Sequence, residues 1–330
     1  MNTRIALIAG LFLTLSLPSC KKLAELSKGG RASNTTASGS DTADDQDGAL
    51  STKLEGYIDC LNRASRDAVD SKESYLRHID EAKGPTGKEG SVYISKLDVS
   101  SCLEAIGKAK ALPPPMPDLE ATVEPYRAAL QALAPLVQSA YSYYDQKDYK
   151  DDNWAKGKQM HRPLMDAFAK FDQANKPFDD KVTALNEGLG ARRLARLAKD
   201  PERRVEYLVA NAANEAKKLV KLAEIDELSK LNAPAYEAEL QTFEKAWNDL
   251  DQYIGAHKAE ADKVMALSIF MSAGVDYEKS AKELLRRKRD NKDFNSENHG
   301  MPKFIDGHPA QVLSKYNAFI DRLNGMQFRN

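Results

Sequence analysis

His257 and Glu260 come closest to a metal-binding pair in this chain. On a helix, side chains three residues apart share one face, so an imidazole nitrogen and a carboxylate oxygen can bind the same ion. The alternative is structural, because His257 follows Ile254 on an apolar stripe and can occupy the seam between two helices. A metal centre would also need a third ligand from another helix. We therefore predict no cofactor, and keep the pair as the candidate metal site.

The residues around this pair carry a resemblance. Gly255-Ala256-His257-Lys258-Ala259-Glu260 resembles the Gly-x-His-x-x-Glu motif of the imelysin-like exported helical proteins. That resemblance implies a metal-binding or metallopeptidase-like function at His257 and Glu260. The nucleophile motif Gly-x-Ser-x-Gly and the glycine patterns of nucleotide-binding loops are absent from the sequence. We therefore expect a protein without enzymatic activity.

A second candidate site combines tyrosines and aspartates where one long helical pattern gives way to the next. Tyr144, Tyr149, Asp151 and Asp152 offer aromatic faces, hydroxyls and carboxylates to a cation or a sugar, and His161 follows shortly after. The alternative is a helix–helix corner in which tyrosine hydroxyls fix the turn and aspartates cap the next helix. Solute binding requires a concave pocket at Tyr144, Tyr149 and Asp152, whereas a corner requires tight packing.

The first residues predict export. Arg4 precedes an apolar run over residues 5–15, which is shorter than the roughly 20 residues that a membrane-spanning helix needs. The following Leu17-Pro18-Ser19-Cys20 resembles the lipobox of bacterial lipoproteins. The resemblance implies that residues 1–19 are a signal peptide and that Cys20 is lipidated, which makes the membrane a partner. An ordinary cleaved signal with an incidental cysteine is the alternative. Lys21, rather than aspartate, after the cysteine implies the outer membrane, with the protein facing the periplasm.

The other two cysteines form an even pair for an oxidising compartment. We predict a disulfide between Cys60 and Cys102, closing a loop of about 40 residues. Two buried free thiols are the alternative.

Residues 20–50 are predicted to be the lipidated N-terminus and a flexible tether, because residues 32–48 are small and polar and can bury little apolar surface. Residues 51–330 are predicted to form a helical domain. Apolar residues recur there every three or four positions, as in a series ending at Tyr144: Leu119, Val123, Tyr126, Leu130, Leu133, Val137, Tyr141 and Tyr144. Such stripes predict an all-α fold, a multi-helix antiparallel bundle of long amphipathic helices.

Charge is balanced, with 48 basic and 49 acidic residues, so no global basic field attracts nucleic acid, and we expect none as a partner. The one dense basic run is Arg286-Arg287-Lys288-Arg289. It can contact anionic headgroups or lipopolysaccharide phosphate. Alternatively, its charges stabilise the C-terminus of a helix.

Two motifs resemble the YiiG-like family, bacterial lipoproteins that carry a domain of unknown function. These are Tyr57-Ile58-Asp59-Cys60-Leu61-Asn62, and Tyr143 through Asp152 followed by Gly157 and His161. The resemblance spans roughly residues 50–325 and implies an exported helical domain, without an activity to carry over. We expect a non-enzymatic interaction module of the cell envelope that binds another envelope protein or a cell-wall component.

Overall fold

A computed structural model describes residues 39–294 and 302–328. It confirms the all-helical fold class and the helical bundle. Cys20, with the predicted signal peptide, lies outside these residues. No helix in the described ranges is both long and apolar enough to cross a bilayer. The chain divides into two compact units within the helix that contains Leu189, one formed by residues 39–189 and the other by the described residues from 190 onward.

The N-terminal unit consists of long helices joined by short connections. Helix α1 (Gly39–Cys60) continues through a π-helical turn (Leu61–Ser65) into α2 (Arg66–Leu76). An irregular segment leads to α3 (Ser100–Ala111), which packs along α1, and α4 (Pro117–Asp145) and α5 (Ala155–Leu197) follow. Because α1 begins at Gly39, residues 39–50 of the predicted tether belong to the first helix.

Aromatic rings fill the core of this unit. The apolar stripe predicted for α4 is buried at Leu119, Val123, Tyr126, Leu130, Leu133, Val137 and Tyr144. Tyr126 lies with its ring centroid 4.7 Å from Phe178 and 5.9 Å from Phe171, both of which lie on α5. These large side chains on the inner faces set the spacing of the two helices.

The C-terminal unit contains the end of α5, α6 (Arg204–Leu222), α7 (Ala233–Ala256), the short α8 (Lys258–Ala261), α9 (Leu267–Arg289) and α10 (Pro309–Asn324). Two-residue strands, β1 (Val264–Met265) and β2 (Gln327–Phe328), pair antiparallel. Asp200 caps a short turn before α6, since its carboxylate accepts a hydrogen bond from the amide of Glu202 at 3.0 Å. Apolar residues from α6, α7, α9 and α10 form a continuous core.

Candidate functional site

The tyrosine–aspartate cluster packs as a helix corner between α4 and α5. Tyr143, Tyr144 and Tyr149 are buried, and Tyr149 lies 4.4 Å from Trp154, centroid to centroid. Asp152 accepts hydrogen bonds from the Tyr143 hydroxyl at 2.7 Å and from the amide of Lys156 in the first turn of α5 at 2.9 Å. These contacts match the corner rather than a concave solute site.

The electrostatics of the corner agree with a structural role. Partial desolvation raises the pKa of Asp152, but hydrogen bonds from the Lys156 amide and the Tyr143 hydroxyl outweigh it and hold the pKa below its ordinary value. Burial raises the pKa of Tyr144. Tyr144 and Tyr149 are only 3% and 5% exposed, so a solute cannot reach their rings in this conformation. Asp151 remains exposed.

His161 is buried beside this corner, on α5. Its Nε2 lies 2.9 Å from the carbonyl oxygen of Glu81, which can only accept, so Nε2 carries the proton. Its Nδ1 then accepts from the hydroxyl of Tyr75 at 3.0 Å. Burial raises the pKa of Tyr75 to about 12, which keeps that hydroxyl protonated as a donor. Both ring nitrogens of His161 are thus used to hold α2 and the segment after it against α5.

The candidate metal pair does not have its predicted surroundings. Helix α7 ends at Ala256, so His257 lies between α7 and α8 and does not share one helix face with Glu260. His257 is exposed rather than buried in a seam, and its ring stacks on Tyr253 with centroids 3.9 Å apart. The backbone of His257 (φ −122°, ψ 54°) leaves the helical region, although the spacing of apolar residues runs on through it.

His257 and Glu260 nevertheless meet at one residue. The Nδ1 atom of His257 lies 3.0 Å from the carbonyl oxygen of Tyr253, and Glu260 accepts a hydrogen bond from the hydroxyl of Tyr253 at 2.9 Å. Across residues 39–294 and 302–328, no group of three or more His, Cys, Asp or Glu side chains is arranged to hold a metal ion. The third ligand that the metal hypothesis requires is therefore not among the described side chains.

The predicted disulfide between Cys60 and Cys102 is present. It joins the last residue of α1 to the first turn of α3, and both cysteines are at most 2% exposed. A polar network that the sequence did not indicate lies beside it. The Tyr126 hydroxyl is 3.7 Å from Cys60 Sγ and 2.9 Å from Ser65 Oγ, and Ser65 donates to Asn175 Oδ1 at 2.7 Å. The π-helical turn before α2 contains Ser65.

Sequence reasoning also missed Lys53, a buried charge on α1. Its ammonium group donates to the carbonyl oxygens of Leu112 and Pro114 and to Glu120. The available signal was its position four residues before Tyr57, on the apolar face of the helix.

An open groove of about 800 Å³ runs along the outer side of α4 and α5. Small side chains line it, among them Ala128, Ala129 and Ala132 on α4 and Ala167 and Ala174 on α5. The groove forms because the rings on the inner faces hold the two helices apart, while alanines on the outer faces are too small to fill the space. Asp166, Lys170 and Gln173 on α5 add polar groups to this lining.

The chain is similar to known proteins of unknown function. The model of the family described as "Protein of unknown function (DUF3829)" matches residues 49–325, which cover nearly all of both units. The chain belongs to this family. It is also 26% identical over 297 residues to the uncharacterized protein YiiG of Escherichia coli strain K12, covering 86% of this chain and 81% of YiiG. No solved structure matches the chain. The YiiG-like resemblance predicted from the two motifs is thereby confirmed.

Proposed function

We propose that this DUF3829 protein is a lipid-anchored component of the bacterial cell envelope, held by Cys20 and facing the periplasm from the outer membrane. The buried disulfide between Cys60 and Cys102 carries the proposal, because disulfides persist in exported proteins and are rare in the reducing cytosol. The lipobox-like Leu17-Pro18-Ser19-Cys20 supplies the anchor and Lys21 the outer-membrane preference.

Fractionation of cells that express the full chain tests the anchor. We expect the wild-type protein in the outer-membrane fraction, with an acylated N-terminal peptide that begins at residue 20. The Cys20→Ala variant should lose the acyl groups and leave that fraction. A double variant with alanine at Cys60 and Cys102 is the control, because it keeps the anchor cysteine. Cys20→Ala protein that persists in the outer membrane would defeat the anchor.

Within the envelope, the protein acts by binding rather than by catalysis. The groove on α4 and α5 supports this role, and its occupant is an amphipathic helix of another envelope protein. The alanines let a partner backbone approach closely. The polar lining residues Asp166, Lys170 and Gln173 all lie on α5, so the α4 wall is apolar and the α5 wall carries polar side chains among its alanines. A helix with an apolar face and a polar face matches these two walls.

Site-specific photocrosslinking in cells tests the groove. A photoreactive residue at Ala132 should give one discrete adduct, and the crosslinked peptide of the partner should read as an amphipathic helix. The matched control is Ala121, which is exposed on the same helix but outside the groove. Filling the groove by Ala128→Trp should abolish the adduct at position 132. The same adduct from position 121, or an adduct that survives Ala128→Trp, would exclude the groove as the binding surface.

A further inference from the structure

The C-terminal end of α9 and the segment 302–307 form one surface. Arg287 is buried, and its guanidinium group donates to the backbone carbonyl of Asp306. Gly307 (φ +69°) allows close approach, since a Cβ atom there would lie 2.7 Å from the carbonyl carbon of Glu283. These two contacts hold Asp306 and Gly307, which closely follow Phe304 in sequence, against the last turns of α9.

Phe304 is 69% exposed, more than any other large hydrophobic side chain among the described residues. A phenylalanine ring in water forgoes the stabilisation that burial would give it. The ammonium group of Lys303 lies 5.2 Å from the centroid of this ring. The ring is therefore presented to solvent together with a cation.

Further exposed cations lie in the last turn of α9 and just after it. The side chains of Arg286 and Arg289 are 55% and 72% exposed, and Lys292 is also exposed. Arg286 pairs with Glu283, and Arg289 pairs with Asp290, at 3.2 Å each. Exposed ion pairs of this kind contribute little to stability. Both guanidinium groups can therefore leave their carboxylate partners and bind an external anion. Within 283–294 and 302–306, and leaving out the buried Arg287, five residues are basic and four are acidic, so the formal charge is slightly positive.

We propose that the surface formed by Arg286, Arg289, Lys292, Lys303 and Phe304 binds the face of an anionic lipid bilayer. The cations contact headgroup phosphates, and the Phe304 ring enters the headgroup region, as basic and aromatic residues do at membrane interfaces. The contact goes beyond the proposed function, because it is a second attachment that does not use Cys20. It would set which face of the C-terminal unit meets the membrane.

Fluorescence quenching by brominated lipids tests the contact on the full mature chain, held in vesicles by its own anchor. Phe304→Trp places a reporter on the surface, whereas the natural Trp154 and Trp247 are 6% and 4% exposed and shielded from lipid. Vesicles of phosphatidylcholine alone are compared with vesicles of equal parts phosphatidylcholine and phosphatidylglycerol. Tyr93→Trp is the control, since Tyr93 is 55% exposed in the N-terminal unit.

We expect the Phe304→Trp reporter to be quenched at least five-fold more than the Tyr93→Trp control, only in anionic vesicles, and less so at high salt. Glutamine at Arg289, Lys292 and Lys303 together should remove this quenching. Glutamine at Lys88, Lys108 and Lys158, all exposed in the N-terminal unit and outside the groove, should leave it unchanged. The proposal would be overturned if the reporters at positions 304 and 93 were quenched equally. It would also be overturned if the Phe304→Trp reporter were quenched equally in the two vesicle types, or equally in the two triple variants. If the chain carries no lipid, the same reporter and glutamine variants are added to preformed vesicles and their quenching is measured. This second experiment tests the contact at Phe304 independently of the anchor at Cys20.

Discussion

The ammonium group of Lys53 lies 2.7 Å from the carboxylate of Glu120, although Lys53 has no exposed surface. The same group donates to the carbonyl oxygens of Leu112 at 2.9 Å and Pro114 at 2.8 Å. Residues 113–115 are prolines without amide hydrogens, so this segment cannot satisfy its carbonyls from its own backbone. One lysine therefore joins α1 to the connection between α3 and α4.

Replacing Lys53 by Met should destabilise the N-terminal unit by about 2 kcal/mol, because two backbone carbonyls and the partly exposed Glu120 lose their donor. Urea unfolding followed by Trp154 fluorescence in a Trp247→Phe background measures the change in this unit. Lys108→Met is the matched control, since its pair with Glu104 is exposed, and it should change stability by less than about 0.5 kcal/mol. If the two substitutions changed the free energy of unfolding equally, the buried contacts of Lys53 would contribute nothing to stability.

The disulfide between Cys60 and Cys102 joins residues 42 apart in sequence. Replacing both cysteines by alanine should lower the free energy of unfolding by about 4 kcal/mol, because the unfolded chain regains the entropy of the open loop. The same urea experiment measures it. Reductant should shift the wild-type midpoint toward that of the double variant and leave the variant unchanged. A wild-type midpoint that ignores complete reduction would contradict this account.

Asp179 on α5 is a partly buried carboxyl that makes the stability of the N-terminal unit depend on pH. Burial, with a smaller effect of neighbouring Asp180, raises the pKa of Asp179 to about 6. In the unfolded chain the group ionises near pH 4, so between about pH 4 and 6 the folded state binds more protons. Its contribution to stability is therefore present below pH 4 and is lost as the pH rises through 6.

Asp179→Asn should then stabilise this unit by about 1 kcal/mol at pH 8, after allowance for solvent screening, and by almost nothing at pH 4. Urea unfolding at the two pH values measures the difference. Glu73→Gln, at an exposed position on α2, is the control and should show no such dependence. A stabilisation of equal size at both pH values would rule out ionisation of Asp179 as the cause.

Apolar periodicity predicted the helices because each stripe reports which face is buried. The core residues of α4 from Leu119 to Val137 are buried as their spacing indicates. Periodicity could not locate the end of α7, since the stripe passes from Ile254 to His257 without a break while the backbone turns. The non-helical backbone of His257 takes this residue out of the helix, so it does not share a helix face with Glu260. The backbone conformation of one residue cannot be read from the spacing of apolar residues.

The candidate sites were harder to predict for a related reason. A tyrosine such as Tyr144 has the same sequence neighbours whether it lines a pocket or packs in a corner. The outcome depends on Trp154 and Tyr75, which approach it only after folding. The disulfide was predictable, because the export predicted from the first residues and the even number of remaining cysteines restrict the pairing. The groove on α4 and α5 depends on the distance between two helices, which the sequence does not give.

Gly274 on α9 lies against Trp247 on α7. A Cβ atom at position 274 would come within 2.0 Å of the indole ring. The ring cannot retreat easily, because it packs against Phe270 at 5.7 Å and Phe319 at 5.8 Å, centroid to centroid. Gly274→Ala should thus cost the C-terminal unit about 2 kcal/mol from overpacking, despite the better helix propensity of alanine.

Calorimetry on the full chain measures this cost as a lower transition temperature of the C-terminal unit. The control is Gly255→Ala on α7, where a Cβ atom meets nothing within 4 Å, and this change should not destabilise the unit. In a Trp247→Phe background the smaller ring leaves room, so Gly274→Ala should cost less than it does beside tryptophan. Additive effects of the two substitutions would show that the contact between Gly274 and Trp247 does not limit the packing of α7 on α9.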